Sequence, residues 1–203
     1  MHSEVLTKEQ KDLLPLIGKF KKKFGLVGGT AIALQIGHRE SIDFDLFSPN
    51  EFTNSRLRRT FAQSGKKIET LRSLTGQFTF IVDTVYITFF HFPYPINYSK
   101  EFETYARMPD LLSLAAMKAF AIGQRSKWRD YVDMYFIMRD FHSLMEITEK
   151  AESLFGSEFN AKLFRQQLAY FADVDYRQLV NFKPGFETPE KEIRSALQEW
   201  SIS

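Results

Sequence analysis

The 203-residue chain contains no cysteine, which excludes disulfides, thiolate metal ligands and cysteine nucleophiles. Its four histidines (His2, His38, His91 and His142) are scattered, without the spacing of a metal centre. An excess of charge of one sign is also missing: 27 Lys and Arg against 25 Asp and Glu give a formal net charge of +2. Composition alone therefore does not declare a nucleic-acid binder. No uninterrupted apolar run approaches the roughly 20 residues that a membrane span needs. The first residues, MHSEVLTKEQKDLLP, carry acids early and no apolar signal core. The expectation is a soluble, cytoplasmic protein with no membrane partner. Internal repeats and low-complexity stretches are absent too. What the chain has in abundance is apolar volume: 44% hydrophobic residues, 21 of them Phe, enough for a sizeable core in one domain or two small ones.

One stretch concentrates the chemistry, FGLVGGTAIALQIGHRESIDFDLFSP, residues 24–49. An apolar run, Phe24 to Val27, reads as a buried strand. Gly28, Gly29 and Thr30 follow, then a helical pattern from Ala31 to Ile36 that Gly37 stops. From Ile42 to Phe47 apolar and acidic residues alternate, which reads as a strand with one face buried. Asp43 and Asp45 then share the other face, about 6–7 Å apart along the strand. Two like charges that close repel unless a cation lies between them or one is protonated. A hard divalent ion fits such a pair, because it takes carboxylate oxygens and keeps sites open for phosphates. The Gly-Gly turn at a helix N-terminus is the complementary half. It lets backbone approach a ligand, and the unpaired N–H groups and positive dipole end make a phosphate seat. Thr30 could cap the helix or donate its hydroxyl to a phosphate.

GGTAIAL followed by HRESIDFDLF resembles the nucleotidyltransferase motif of the DNA polymerase β superfamily, Gly-Gly/Ser then Asp-x-Asp. It is most similar to the AbiEii/AbiGii toxin branch, where GGTAL, an Arg-x-Ser and Asp-Phe-Asp-Leu-Phe occur together. The resemblance implies that Asp43 and Asp45 hold Mg²⁺ (or Mn²⁺), and that Gly28, Gly29, Thr30, Arg39 and Ser41 bind the nucleotide. It departs from the superfamily at one place. The superfamily carries a third carboxylate on a later strand, and in VYITFF the matching position is Thr88. Asp83 lies five residues earlier, in a turn. Either two aspartates suffice, or the third ligand comes from elsewhere, or the site is degenerate.

Around this stretch the periodicity predicts a helix over 5–23 with a break at Pro15, a helix over 51–64, and strands over 66–74, 78–82 and 85–90 with a tight turn at Asp83-Thr84. The lysines at 19 and 21–23, and Arg56, Arg58 and Arg59, form two basic clusters. Each reads either as a solvated surface or as a contact with a polyanion. Pro93 and Pro95 end the sheet-forming part, and from Asp110 onward the pattern is helical. In LLSLAAMKAFAI, Lys118 lies on the apolar stripe. Either its stem lies along apolar surface with the ammonium in solvent, or it points at an anion. On the first reading Lys118→Met costs no stability. Asp130 and Asp133, three apart, share a face of the next helix, either as an internal salt bridge that anchors the helix or as part of the site, where one could orient Lys118 or help hold the metal. AbiEii-like proteins carry a similar tail, a Lys in an Ala-rich helix and then Arg-Asp-x-x-Asp. The resemblance therefore implies that Lys118 and Arg129 contact the nucleotide and that Asp130 or Asp133 is a further catalytic acid. Further helices are expected over 142–155, 158–171 and 189–200, with no chemistry motif among them.

The expected fold class is α/β (α+β): a small mixed sheet with flanking helices in residues 1–108, and a helical C-terminal domain in residues 109–203 that completes the site. The implied activity is transfer of a nucleoside monophosphate from an NTP to a hydroxyl acceptor, with pyrophosphate released. The resemblance implies tRNA or another RNA as acceptor, a role as the toxin of a toxin–antitoxin or phage-abortive-infection pair, and a cognate antitoxin as partner. Two alternatives stand beside it: a degenerate module that binds NTP or RNA without turnover, and a small-molecule nucleotidyltransferase of the antibiotic-modifying kind.

Overall fold

The computed structural model describes residues 1–202. Its centre is a five-stranded mixed sheet in the order β1-β2-β5-β4-β3. The strands are β1 (Gly25–Val27), β2 (Asp43–Ser48), β3 (Glu69–Leu74), β4 (Gln77–Val82) and β5 (Val85–His91). β2 is parallel to β5 and antiparallel to β1, so the strand that carries both aspartates is an interior one, next to the edge strand β1. The mixed α/β class expected from the sequence is the one observed.

Strict alternation makes this sheet two-faced. Phe44 and Leu46 on β2, Phe78 and Phe80 on β4, and Ile87 and Phe89 on β5 are at most 2% exposed and point to one side. There they meet α3 (Asn54–Gln63) and Phe20, just beyond the end of α1 (Lys8–Gly18), through ring contacts such as Phe20–Phe89 and Phe61–Phe80. Each buried large apolar side chain is worth about 1.5–3 kcal/mol, so a one-residue slip of β2 would reverse a large part of the core. The opposite face presents Asp43, Asp45, Tyr86 and Thr88 and is only partly covered.

α1 runs through Pro15 without the expected interruption. Pro15 and Lys11 lie on the solvent side, so the carbonyl left without an N–H partner can reach water. The expected 51–64 helix begins later, at Asn54. Asp83 takes φ 57 in a two-residue turn between Val82 and Val85, and its carboxylate pairs with Lys66, away from the aspartate strand.

The stretch expected to separate two domains is itself structured. It holds a hairpin, β6 (Lys100–Phe102) and β7 (Ala106–Met108), and the Arg107 Nε donates to the Lys21 carbonyl. Tyr98 lies flat across Gly25, filling the space a side chain would need. Beyond it come α4 (Leu111–Ile122), α5 (Trp128–Asp140), α6 (Leu144–Phe155), α7 (Ala161–Ala169) and α8 (Glu190–Ser201). The helix α2 (Gly28–Ile36) packs on α4 and α5, and one contiguous core runs across residue 109. That contact brings the C-terminal helices against the glycine turn.

Candidate active site

α2 starts at Gly28 itself, three residues earlier than the apolar pattern indicated. Gly28 has φ +70, a conformation that a Cβ disfavours. A Cβ there would also stand 2.5 Å from the Asp45 Oδ2. The glycine is thus required twice, by the turn and by the carboxylate that lies against it. Val27, the N-cap, offers no side-chain hydrogen bond, so the first N–H groups of α2 have no side-chain cap next to Asp45.

Asp43 and Asp45 share the open face of β2, as the alternation predicts. Their environment opposes ionisation. Burial and then the Asp43 charge push the Asp45 carboxyl up to about 6. Burial also raises Asp43, against the pull of Arg129, Arg39 and Lys127. Among the described residues no three His, Asp or Glu side chains come together to hold a metal. The aspartate pair nevertheless fits a hard divalent ion. It offers carboxylate oxygens in a partly buried place that carries uncompensated negative charge, and such an ion completes its shell with water and substrate phosphates. The register confirms that Thr88 stands directly beside Asp45 where a third carboxylate was sought. Its hydroxyl lies 3.3 Å from that of Thr79 on the next strand.

Lys118 does not reach solvent; it points at anions, the two carboxylates of the next helix. It is 6% exposed, and its ammonium donates to the Asp130 Oδ1 at 2.7 Å and pairs with the Asp133 Oδ2 at 2.9 Å. Asp133 is also held by Arg39, whose Nε and Nη2 donate to its two oxygens at 2.6 and 2.8 Å. The His38 Nε2 lies 2.8 Å from the Asp133 Oδ1. Burial lowers the His38 pKa, so the ring is neutral and donates from Nε2. Its Nδ1 is buried with no hydrogen-bond partner. Burial alone would raise Asp133, but Arg39 and Lys118 hold it well below the ordinary carboxylate range. The Arg125 Nε reaches the Asp130 Oδ2 at 3.1 Å. Three cations thus face two carboxylates, and the cluster keeps a net positive charge beside the negative pair on β2.

Thr30 and Ser41, expected at the phosphates, hydrogen-bond within the fold. Thr30 donates to the Asp43 carbonyl and lies 2.8 Å from the Ser41 Oγ, which must then supply its own proton to Thr30. The two hydroxyls brace the start of β2 against α2. At Gly29 a Cβ would meet the Arg39 Nη2 at 2.5 Å, so this glycine makes room for the guanidinium. Arg129 donates twice to the Leu179 carbonyl, at 3.0 and 2.7 Å, while its charge acts on Asp43.

Several contributors had no sequence signal. Lys127 acts on both Asp43 and Asp45, and it sits where α5 begins, in a bridge to Asp175. The irregular segment near Phe182, which carried no motif, ties down the Arg-x-Ser stretch. Phe182 pairs with Arg39, the Lys183 N–H donates to the His38 carbonyl, and the Lys183 ammonium meets Glu40 at 2.9 Å. Only a fold could bring residues 38–41 and 181–183 together.

Comparison with known proteins agrees with this geometry. A protein of Aquifex aeolicus, described as uncharacterized, is 27% identical over 201 residues, 96% of this chain and 97% of that protein. Among solved structures, MenT4, a nucleotidyltransferase toxin from Mycobacterium tuberculosis, superposes with a TM-score of 0.67 at 11% identity, over 95% of this chain and 80% of that one. A nucleotidyltransferase-like protein of Helicobacter pylori gives 0.60 at 15% identity, over 96% and 92%. At these identities the structures establish the fold. Residues 16–200 match the family model described as "Nucleotidyl transferase AbiEii toxin, Type IV TA system". The chain therefore belongs to the AbiEii family of nucleotidyltransferase toxins.

Proposed function

We propose that the chain transfers a nucleoside monophosphate from an NTP to a hydroxyl of an RNA acceptor, with a divalent cation, Mg²⁺ or Mn²⁺, held by Asp43 and Asp45. The observation that carries this reading is the pairing of two under-neutralised carboxylates with the open N-terminus of α2, inside a ring of cations. Bound there, the ion supplies charge neutralisation for the phosphates and activation of the attacking oxygen. The protein's own groups do the rest. The N–H groups of Gly28 and Gly29, at the positive end of α2, seat phosphate oxygens. Lys118 and Arg39 are fixed by Asp130 and Asp133, so their positive field is preorganised and needs no rearrangement as charge builds on the leaving pyrophosphate. Arg125, Lys127 and Arg129 stand nearer solvent and are available to the entering triphosphate. A toxin role in the cell and a paired antitoxin follow from the family and belong to the same proposal.

The test is incubation with Mg²⁺, each labelled NTP in turn, and total RNA. Transfer of label to RNA is the expected outcome. Saturable NTP binding without transfer would favour the degenerate binding module, the reading that Thr88 beside Asp45 supports. Label on a small hydroxyl compound alone would point to the antibiotic-modifying kind of enzyme.

A further inference from the structure

The two basic clusters read from the sequence lie more than 30 residues apart, yet the fold divides one of them and joins part of it to the other. Arg58 turns toward β3: it lies 4.6 Å from the centre of the Phe78 ring, and its Nη1 donates to the Thr70 Oγ1. Arg56 instead faces a cleft of about 760 Å³ between the end of α1 and the start of α3, whose other wall carries Lys19, Lys22 and Lys23. None of these four exposed cations makes an ion pair among the described residues, and Glu51 is the one acid in the lining. Partly exposed Phe20 and Phe52 lie between the basic walls. Cations on two walls with aromatic rings between them match a strand that carries phosphates along its backbone and flat bases along its side. A protein segment would need both acids spaced to the two walls and an aromatic side chain placed between them, whereas a nucleic-acid strand carries a phosphate and a flat base at every residue.

The cleft is separate from the catalytic pair but close to it. Ser48, in its lining, ends β2 three residues after Asp45, about 10 Å along the strand. The Ser48 side chain points to the opposite face of the sheet. We infer that this cleft is an exosite for a single-stranded nucleic acid, binding the body of the acceptor while its reacting hydroxyl lies at Asp43 and Asp45. The assignment rests on the reading that the acceptor is a nucleic acid.

The test uses the full chain and a fluorescently labelled single-stranded RNA 12-mer, followed by anisotropy over a range of salt. The triple substitution Lys19→Gln, Lys23→Gln, Arg56→Gln removes three exposed charges and leaves the core untouched. It should weaken binding at least about tenfold and flatten the log–log salt slope by about 2, the share of three phosphate contacts. In transfer assays its KM for the 12-mer should rise about tenfold with kcat unchanged, while a dinucleotide acceptor, too short to reach the cleft, is used as well as before. Equal affinity and equal slope in the triple variant would overturn the exosite. Tighter binding of a labelled oligoglutamate than of RNA, lost in the triple variant, would also overturn it and assign the cleft to an acidic protein segment. RNA binding that depends on the cleft in a protein that transfers no nucleotide would keep the exosite and remove the catalytic reading instead.

Discussion

Two pairs of aspartates lie within one small region and have opposite electrostatics. Asp43 and Asp45 stand two apart on a strand, and both carboxyls are pushed up, Asp45 to about 6. Asp130 and Asp133 stand three apart on a helix, are at least as well buried, and are both held down. Burial raises all four. The difference is the partners. The helical pair has Lys118, Arg39 and Arg125 within hydrogen-bonding distance, whereas the strand pair has only the more distant fields of such cations. A buried carboxylate already satisfied inside the chain is part of the frame. One left under-neutralised beside an open helix terminus is where a cation and phosphates gain most.

The contrast can be broken most severely at Asp133. Asp133→Asn keeps the shape but leaves Arg39 and Lys118 buried with half their counter-charge. The expected loss of stability is about 3–5 kcal/mol, measured by urea unfolding. Lys118→Met should cost about 3 kcal/mol for the same reason, because Asp130 and Asp133 lose their shared cation. The structure thus reverses the expectation of a swap without cost to stability. A Met variant as stable as wild type would show that the network contributes little to folding. Lys118 should also be needed for transfer, so a high-salt refold of the variant with full activity would sink its part in the site.

How far the sequence carried is visible in these same residues. The strand pair was legible because alternation at period two has one geometric meaning: Asp43 and Asp45 must share a face once Phe44 and Leu46 are buried. The match of Thr88 to the superfamily's third carboxylate comes only through the resemblance, and its place beside Asp45 comes from the strand register, which alternation does not supply. The lone lysine in an apolar helix was recognisable as an anomaly, and one of the two aspartates as able to orient it, but nothing local to α4 shows that α5 turns both acids toward it. The bracing by Thr30 and Ser41 was not legible, because a hydroxyl near a glycine turn can serve a ligand or a neighbouring strand equally well. The clamp from residues 181–183 and the placement of Lys127 depend on contacts more than 40 residues apart in sequence, beyond the reach of any local pattern.

A smaller effect sharpens the comparison through pH. The depressed Asp130 and Asp133 contribute stability that is present above the ordinary carboxylate pKa and lost as pH falls through their lowered values. Raised Asp43 and Asp45 do the reverse: their contribution is full below the ordinary value and is lost as pH rises through their raised values, about 6 for Asp45. Without divalent cations the melting temperature should therefore decline on both sides of a maximum near the ordinary carboxylate value, about pH 4. Added Mg²⁺ should recover the alkaline side and leave the acid side unchanged. A Mg²⁺ effect of equal size at pH 4.5 and pH 8 would place the ion elsewhere.

The most direct measurement is the melting temperature of Asp45→Asn at pH 8, with and without Mg²⁺ and NTP, alongside its transfer rate. Removing a repelled charge should stabilise the metal-free protein by about 1–3 kcal/mol. The same variant should lose the Mg²⁺-dependent shift and stop transferring nucleotide. A variant that unfolds, or one that keeps both the shift and the activity, would contradict the assignment of Asp43 and Asp45 as the centre of the site.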